Sequence, residues 1–101
     1  MVNSITNNSL SAINAYGTML SNTANNIANV NTEAYKPLET TMKDNAGGGV
    51  SASTSRNANA DRVDISKEAV DLITAENGMK ANIAVVRTTQ ETQKSVVDML
   101  V

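Results

Sequence analysis

Large side chains suited to a core are scarce in this chain, and that scarcity limits what it can fold into. The 101 residues contain two aromatic side chains, Tyr16 and Tyr35, and no Phe or Trp. Aromatic residues supply much of the area buried in most cores, and a chain of this length forms one domain with a thin stability margin. We therefore expect its first helix to be partly disordered until a neighbour covers it.

The composition argues against several classes of function. A net charge of -2, a pI near 4.9 and the absence of a Lys/Arg cluster argue against nucleic-acid binding. The chain has no His and no Cys, so it lacks the commonest general base and the thiol nucleophile. We expect no enzymatic activity, no metal and no cofactor. No apolar run is long enough to cross a bilayer, and the start of the chain lacks the pattern of a cleaved signal peptide.

The first predicted segment, residues 1–31, is an N-terminal core helix. Its apolar and small residues recur with alternating steps of three and four, as in a helix that packs along one side; they are Leu10, Ile13, Gly17, Leu20, Ala24 and Ile27. A second stripe beside it contains Ala12, Tyr16, Met19, Thr23 and Val30. The helix should end near residues 29–31, because Asn favours left-handed end positions and Pro37 disfavours helix at Lys36.

The second predicted segment, residues 32–63, is an extended middle with a Gly-rich turn. Residues 35–44 are predicted to be extended, and Asn45 to Gly49 form a flexible turn. Residues 50–56 alternate small and polar side chains and could pair back as the second arm of a β-hairpin. Few of these side chains could anchor a sheet, so a flexible loop is the alternative for this segment.

The third predicted segment, residues 64–101, is a C-terminal core helix capped by Asp64 or Ser66, in which Gly78 is expected to bend or fray the start. Its seam contains Ala69, Leu72, Glu76, Met79, Ile83, Val86, Gln90, Gln93, Val97 and Leu100. The three segments predict a mainly α fold. Two long terminal helices form an antiparallel coiled-coil-like hairpin, joined by an extended, β-hairpin-like or flexible middle.

Residues 24–36, ANNIANVNTEAYK, carry the most specific pattern in the chain. They resemble the N-terminal signature of the bacterial flagellar rod and hook (axial) proteins, an A-N-N-I/L-A-N-x-N-T-x-G-Y/F-K stretch that follows an N-terminal helix. Residues 63–68, VDISKE, and the helix after them are similar to the C-terminal half of that family. Ala34 departs from the pattern, because the family usually has Gly there, which adopts positive φ more readily. The short middle favours a proximal-rod subunit over a hook subunit.

The Asn residues of this stretch surround the end of the first helix, where each amide can donate and accept hydrogen bonds. We expect Asn25, Asn26 and Asn29 to bond the last free carbonyls of the helix and the backbone of an adjoining chain, while Ile27 faces a partner. Simple capping of the helix is the alternative for Asn29 and Asn31.

The resemblance implies a structural subunit of the flagellar basal-body rod, which polymerises through its terminal helices into the axial tube that transmits torque. Its partners are then other rod subunits, further copies of itself and the flagellar export apparatus. The resemblance also implies that the chain is located in the periplasmic rod, which it reaches by type III export without a cleaved signal peptide. Whether it contacts peptidoglycan is left open.

The expected assembly interface contains Leu10, Ile13, Leu20, Ala24, Asn25, Asn26, Ile27, Asn29, Asn31, Thr32, Tyr35, Leu72, Met79, Ile83, Val86, Val97 and Leu100. The alternative functions are a type III secretion needle or inner-rod subunit and a small coiled-coil interaction module. Residues 31–36 favour the rod over the needle, because needle subunits tend to lack such a segment after their first helix.

Overall fold

The computed structural model describes residues 2–60 and 62–100 of the chain. Within them a helix, α1 (Val2–Ala28), is followed by two strands, β1 (Leu38–Asp44) and β2 (Val50–Arg56), and by a longer helix, α2 (Ile65–Leu100). This order confirms the mainly α architecture expected from the sequence, and the middle adopts the hairpin rather than the loop. Met1 and Val101, the outer limits of the predicted segments, lie outside the described residues.

The two helices run antiparallel to each other. The side chain of Asn26 donates a hydrogen bond to Glu68 (Nδ2 to Oε1, 3.0 Å), and further along the pair the ring of Tyr16 lies against Gly78. Continuing this pairing places Val2 beside Thr92. Because α2 has 36 residues and α1 has 27, residues 93–100 extend past the start of α1. We call residues 93–100 the overhang.

The two strands form a regular hairpin that lies along α1. They pair antiparallel over their full length, with Thr41 opposite Ser53 at the centre. In the turn between them Gly49 has a φ of +85°, and a side chain there would lie 2.6 Å from the Ser11 hydroxyl. The turn therefore needs glycine to come this close to the helix. Among the described elements, the strands pack against α1 rather than α2.

Local side chains set the ends of the helices. Asp64 caps α2, because its Oδ1 accepts hydrogen bonds from the backbone N–H groups of Ser66 (3.0 Å) and Lys67 (3.3 Å). This confirms the first of the two expected caps. At the end of α1 the side-chain amide of Asn29 donates to the carbonyl oxygen of Asn25 (2.9 Å), which also accepts the backbone N–H of Asn29 (3.2 Å).

Two backbone positions have conformations that matter for stability. α2 continues through Gly78 without a break, and the absence of a side chain there makes room for the ring of Tyr16 instead of fraying the start of the helix. Ala34 adopts a φ of +56°, a left-handed conformation that costs an L-residue roughly 1–2 kcal/mol. The chain therefore adopts at Ala34 the positive φ for which glycine is better suited.

The core between these elements is small and largely polar. Its buried apolar residues are Ala15, Pro37, Val63 and Ala75. The buried polar residues are Ser9, Asn22, Thr23, Asn26 and Glu68. Burial of apolar area is the main favourable contribution to folding, at about 25 cal/mol per Å², so a core of alanine, asparagine and threonine leaves the isolated chain a thin margin.

Candidate assembly surface

Asn26 joins three parts of the chain at the end of the molecule where α1 ends and α2 begins, which we call the base. The residue is 1% exposed. Its Nδ2 donates to the carbonyl oxygen of Leu38 (2.8 Å) and to Glu68 Oε1 (3.0 Å). Its Oδ1 accepts from the Leu38 N–H (2.8 Å) and from the Tyr35 hydroxyl (3.3 Å). Both donors and both lone pairs of the amide are used, so one side chain fixes α1, β1 and α2 relative to one another.

Asn22 makes a similar connection one turn earlier in α1. Its Nδ2 donates to the hydroxyls of Thr40 (2.7 Å) and Thr54 (2.9 Å), which are paired across the two strands. These bonds explain why buried Asn residues, which are poor helix formers, lie inside α1. They attach the hairpin to the helix.

At the Asn-rich exit from α1 the described side-chain hydrogen bonds lie within the chain, and the expected bonds to an adjoining chain stay a prediction. Asn26 uses its amide within its own chain, on the backbone of β1, rather than on an adjoining chain. Asn29 bonds the Asn25 carbonyl, and its Oδ1 accepts from the Thr32 hydroxyl (3.1 Å), which is the capping alternative. Asn25 and Asn31 are exposed, so these two amides are accessible to another chain.

Tyr35 and its neighbours complete the base. The Tyr35 ring is half-buried, and the Arg56 guanidinium lies over it at 5.5 Å from the ring centre. The same guanidinium donates to the Lys36 carbonyl oxygen (2.9 Å). The end of β2 is thereby attached to the segment that leaves α1, so the predicted interface residue Tyr35 has a packing role inside the chain.

Glu68 is buried in the same cluster, with 2% of the residue exposed. Burial raises the pKa of its carboxyl above the ordinary value, and the hydrogen bond from Asn26 opposes that increase. Its Oε2 has no hydrogen-bond partner among the described residues. A buried carboxylate that is incompletely bonded lowers stability. The sequence pattern predicts that Ala69, and not its neighbour Glu68, faces inward. It therefore indicates only that Glu68 lies near the positive end of α2 and gives no sign that Glu68 is buried.

The two stripes of α1 have different neighbours. In the second stripe Tyr16 packs against α2 and Thr23 is buried. The hairpin occupies the adjacent side of the helix, where Ser11 accepts from the Val50 N–H (3.0 Å). Given the angular spacing of helical residues, the first stripe, which includes Leu10, lies next to the α2 contact on the side away from the hairpin.

The seam of α2 lies on the same side of the helix pair. Ala75 and Gly78 face α1, and Lys67 lies toward β1, since Lys67, Leu38 and Glu39 line the same cavity. The predicted seam residues fall on the opposite flank of α2 from Lys67. Those from Ala69 to Ile83 border the α1–α2 contact, and from Val86 onward the seam turns toward the side of α2 that faces α1.

Together these residues form one surface opposite the β-hairpin, which we call the apolar face. Its members are Leu10, Ile13, Leu20 and Ile27 of α1 and Ile65, Leu72, Met79, Ile83 and Val86 of α2. Ile27 is 38% exposed and Ile65 47%. Val97 and Leu100, the last predicted interface residues, lie on the overhang and are 53% and 82% exposed. Ala24 is exposed on the outer flank of α1.

α1 has no charged side chain anywhere between Val2 and Ala28. A helix at the surface of a soluble monomer normally carries charges on its solvent side, and large exposed apolar patches mark interaction sites. This charge-free run is a second sequence signal for the assembly surface, independent of the periodicity of Leu and Ile.

The described part of the chain offers no group of three His, Cys, Asp or Glu side chains that could hold a metal ion. Neither α1 nor α2, as described, is long and apolar enough to cross a membrane. No protein-family model matches the sequence, and no curated protein matches it either.

Proposed function

We propose that this chain is a structural subunit of the bacterial flagellar basal-body rod, which polymerises through its two terminal helices into the axial tube. The observation that supports this most is the apolar face, where Leu10, Ile27, Ile65 and Ile83 are exposed and the other members are half-buried. Exposed apolar surface of this extent favours association. The resemblance of residues 24–36 to the axial proteins indicates which assembly it joins.

The weak core also suits this function. A subunit exported through a narrow channel must travel unfolded and become ordered when neighbours bury it. The buried apolar residues of the described core are small, namely Ala15, Pro37, Val63 and Ala75. An uncharged α1 loses no ionic hydration when it is covered. Both properties lower the barrier to unfolding before export and to burial afterwards.

The motif residues have a role that suits transmission of torque. Asn26 and Tyr35 fix the exit from α1 against β1 and α2. The helix pair and the hairpin are thereby joined at the base, so a force applied to one element is passed to the others.

The experiment compares variants in the bacterium that carries the gene. Ile27→Asp and Leu100→Asp each place a charge on an exposed apolar side chain, so the monomer should fold and be exported but should not enter purified basal bodies. Ser21→Asp and Thr92→Asp are matched controls at exposed polar positions of the same helices, and they should assemble normally. Normal motility, with both apolar variants present in basal bodies at the wild-type level, would contradict the proposed function. A wild-type chain that is found in secretion needles rather than in basal bodies would also contradict it.

A further inference from the structure

The β-hairpin has two outer edges, and the register of its strands fixes which backbone groups point outward. At the two ends of the ladder the N–H of Asn57 donates to the Pro37 carbonyl oxygen (2.9 Å), and the N–H of Asn45 donates to the Gly49 carbonyl oxygen (3.0 Å). In an antiparallel pair, residues that exchange such bonds alternate with residues whose N–H and C=O groups point away from the partner strand. The even-numbered residues of β1 and β2 therefore present their backbone groups at the outer edges.

The outer edge of β1 is partly closed. The Asn26 amide of α1 bonds both outward backbone groups of Leu38, as a third strand would. β1 also carries Glu39, Lys43 and Asp44, and charged side chains on an edge strand oppose pairing with further strands. Another strand is therefore disfavoured at this edge.

The outer edge of β2 is open. Its first outward N–H, that of Val50, donates to Ser11 of α1. Within residues 2–60 and 62–100, no hydrogen bond reaches the outward backbone groups of Ala52 and Thr54. Residues 50–55 contain no charged residue and no proline, so this edge lacks the usual protection against another strand. Unpaired strand groups of this kind bind a further extended segment.

The side of α1 next to this edge leaves room for a second helix. A groove of about 290 Å³ lies between β2 and α1, and Asn14 is among its lining residues. Along that side of α1 the exposed residues Asn7, Asn14, Ser21 and Asn25 share one face at helical spacing. All four are polar and uncharged, so another helix can approach without burying a charge.

We propose that β2 pairs through its outer edge with β2 of a second copy, antiparallel and centred on Ser53. Ser53 is the middle residue of the seven-residue strand, so this register uses the whole strand. Ala52 of one copy then exchanges backbone hydrogen bonds with Thr54 of the other. Arg56 lies opposite Val50 of the second copy, so no like charges meet. The result is a four-stranded sheet across a two-fold axis.

The same arrangement brings the two α1 helices to a normal packing distance. Neighbouring strands lie about 4.8 Å apart, so the centres of the two hairpins are about 10 Å apart, with α1 of each copy on the same face of the sheet. Packed helices are about 8–10 Å apart. A two-fold contact closes on itself and gives a dimer, not a polymer. The inference therefore goes beyond the proposed function and stands without it.

The first test places charges on the two-fold axis and measures dimerisation of full-length protein by sedimentation velocity. Ser53 is exposed, and in the dimer it faces its own counterpart. Ser53→Asp and Ser53→Lys should each raise the dissociation constant by about 5-fold at low salt, because like charges oppose each other. An equimolar mixture of the two should form a heterodimer at least as tight as the wild-type dimer. Thr41→Asp is the matched control: Thr41 is exposed and paired with Ser53 on β1, about 14 Å from its counterpart, and it should dimerise like wild type.

The second test blocks the edge itself. Ala52→Pro removes an outward N–H and leaves the bonds to β1 in place, since proline is tolerated where the N–H faces solvent. Each dimer loses two hydrogen bonds, so the dissociation constant should rise by about 30-fold or more. Met42→Pro makes the same change at the residue paired with Ala52 on β1, at the other edge, and should dimerise like wild type. Circular dichroism checks that both variants keep the fold.

Hydrogen exchange of the wild type gives a residue-level result that needs no variant. The amides of Ala52 and Thr54 should exchange rapidly in dilute protein and gain protection as the concentration rises. The amides of Thr40 and Met42, at the edge of β1, should stay rapid.

Three results would overturn the proposal: a wild type that is monomeric at about 1 mM, unchanged dimerisation of folded Ala52→Pro, or protection gained at the edge of β1 instead of β2. Association through the apolar face is a separate outcome, because Ile27→Asp would then abolish it and Ala52 would gain no protection, which also counts against the β2 contact. Basal bodies that lack the wild-type chain would contradict the proposed function and leave the β2 dimer standing.

Discussion

Replacing Asn26 by alanine should remove the connection on which the base of the molecule depends. The substitution deletes four hydrogen bonds. It leaves both backbone groups of Leu38 without their partner, and it leaves the buried Glu68 carboxylate without its amide donor. Each unpaired buried polar group costs about 1–3 kcal/mol, water that enters the space recovers part of this, and the gain in helix propensity is about 0.6 kcal/mol. We expect a net loss of about 3 kcal/mol, a large share of the 5–15 kcal/mol typical of a small domain.

The measurement is urea unfolding of dilute protein followed by circular dichroism at pH 7. Asn25→Ala is the matched control, because it removes the same side chain one residue earlier, where it is exposed, and it should gain about 0.5 kcal/mol. Hydrogen exchange adds a local measurement. The amide of Leu38 should lose protection in Asn26→Ala, while that of Thr41 in the middle of β1 should lose no more than global unfolding explains. Equal stabilities of the two variants, or a loss below about 1 kcal/mol for Asn26→Ala, would refute the reasoning.

Three further predictions concern single positions and use the same urea assay. A side chain at Gly78 would lie 2.5 Å from the ring of Tyr16, so Gly78→Ala should destabilise the fold even though alanine has the better helix propensity by about 1 kcal/mol. At Gly17 an added side chain would meet nothing within 4 Å, so Gly17→Ala should stabilise the fold by about 1 kcal/mol. Ala34→Gly removes the strain of a positive φ of +56° at this position. It should stabilise the fold by about 0.5–1 kcal/mol, after subtraction of the cost of a more flexible unfolded chain. A loss of stability would contradict strain at Ala34. Burial raises the pKa of Glu68 from the ordinary 4.5, so its contribution to stability is fully present below that pH and is lost as the pH rises through the raised value. Glu68→Gln should therefore gain stability relative to wild type as the pH rises above 4.5, and a difference that does not change with pH would contradict the burial of a carboxylate.

The elements of the fold follow from local signals in the sequence. The steps of three and four identify both helices, Asp64 marks the start of α2, and the glycines of residues 47–49 mark the hairpin turn. Each of these signals acts through neighbouring residues only, so it is visible without knowledge of the tertiary structure. The role of Gly78 does not follow from its local sequence, because it depends on Tyr16, which lies far away in the sequence.

The arrangement of the faces could not be derived in the same way. Periodicity shows which residues share a side of a helix, and it does not show which side its own chain covers. In most proteins the largest apolar side chains settle that question, because they are buried. Here the α1–α2 contact includes small and polar residues such as Ala75, Gly78 and Asn26 beside the Tyr16 ring, and several isoleucines and leucines are exposed. The pattern therefore groups residues by the side of the helix on which they lie, and it leaves the neighbours of each side undetermined.

This inverted distribution has a physical consequence for how the chain is stabilised. Small residues allow α1 and α2 to approach closely, and the amides of Asn22 and Asn26 fix the geometry of the subunit through directional bonds. Directional bonds specify a structure but add little net free energy, about 1 kcal/mol each, whereas aliphatic burial supplies more. The side chains that could supply it, Ile27 and Leu100 among them, remain at the surface. The polar core thus determines the shape of the chain, and in the proposed assembly further free energy for holding that shape would come from burial of the apolar face.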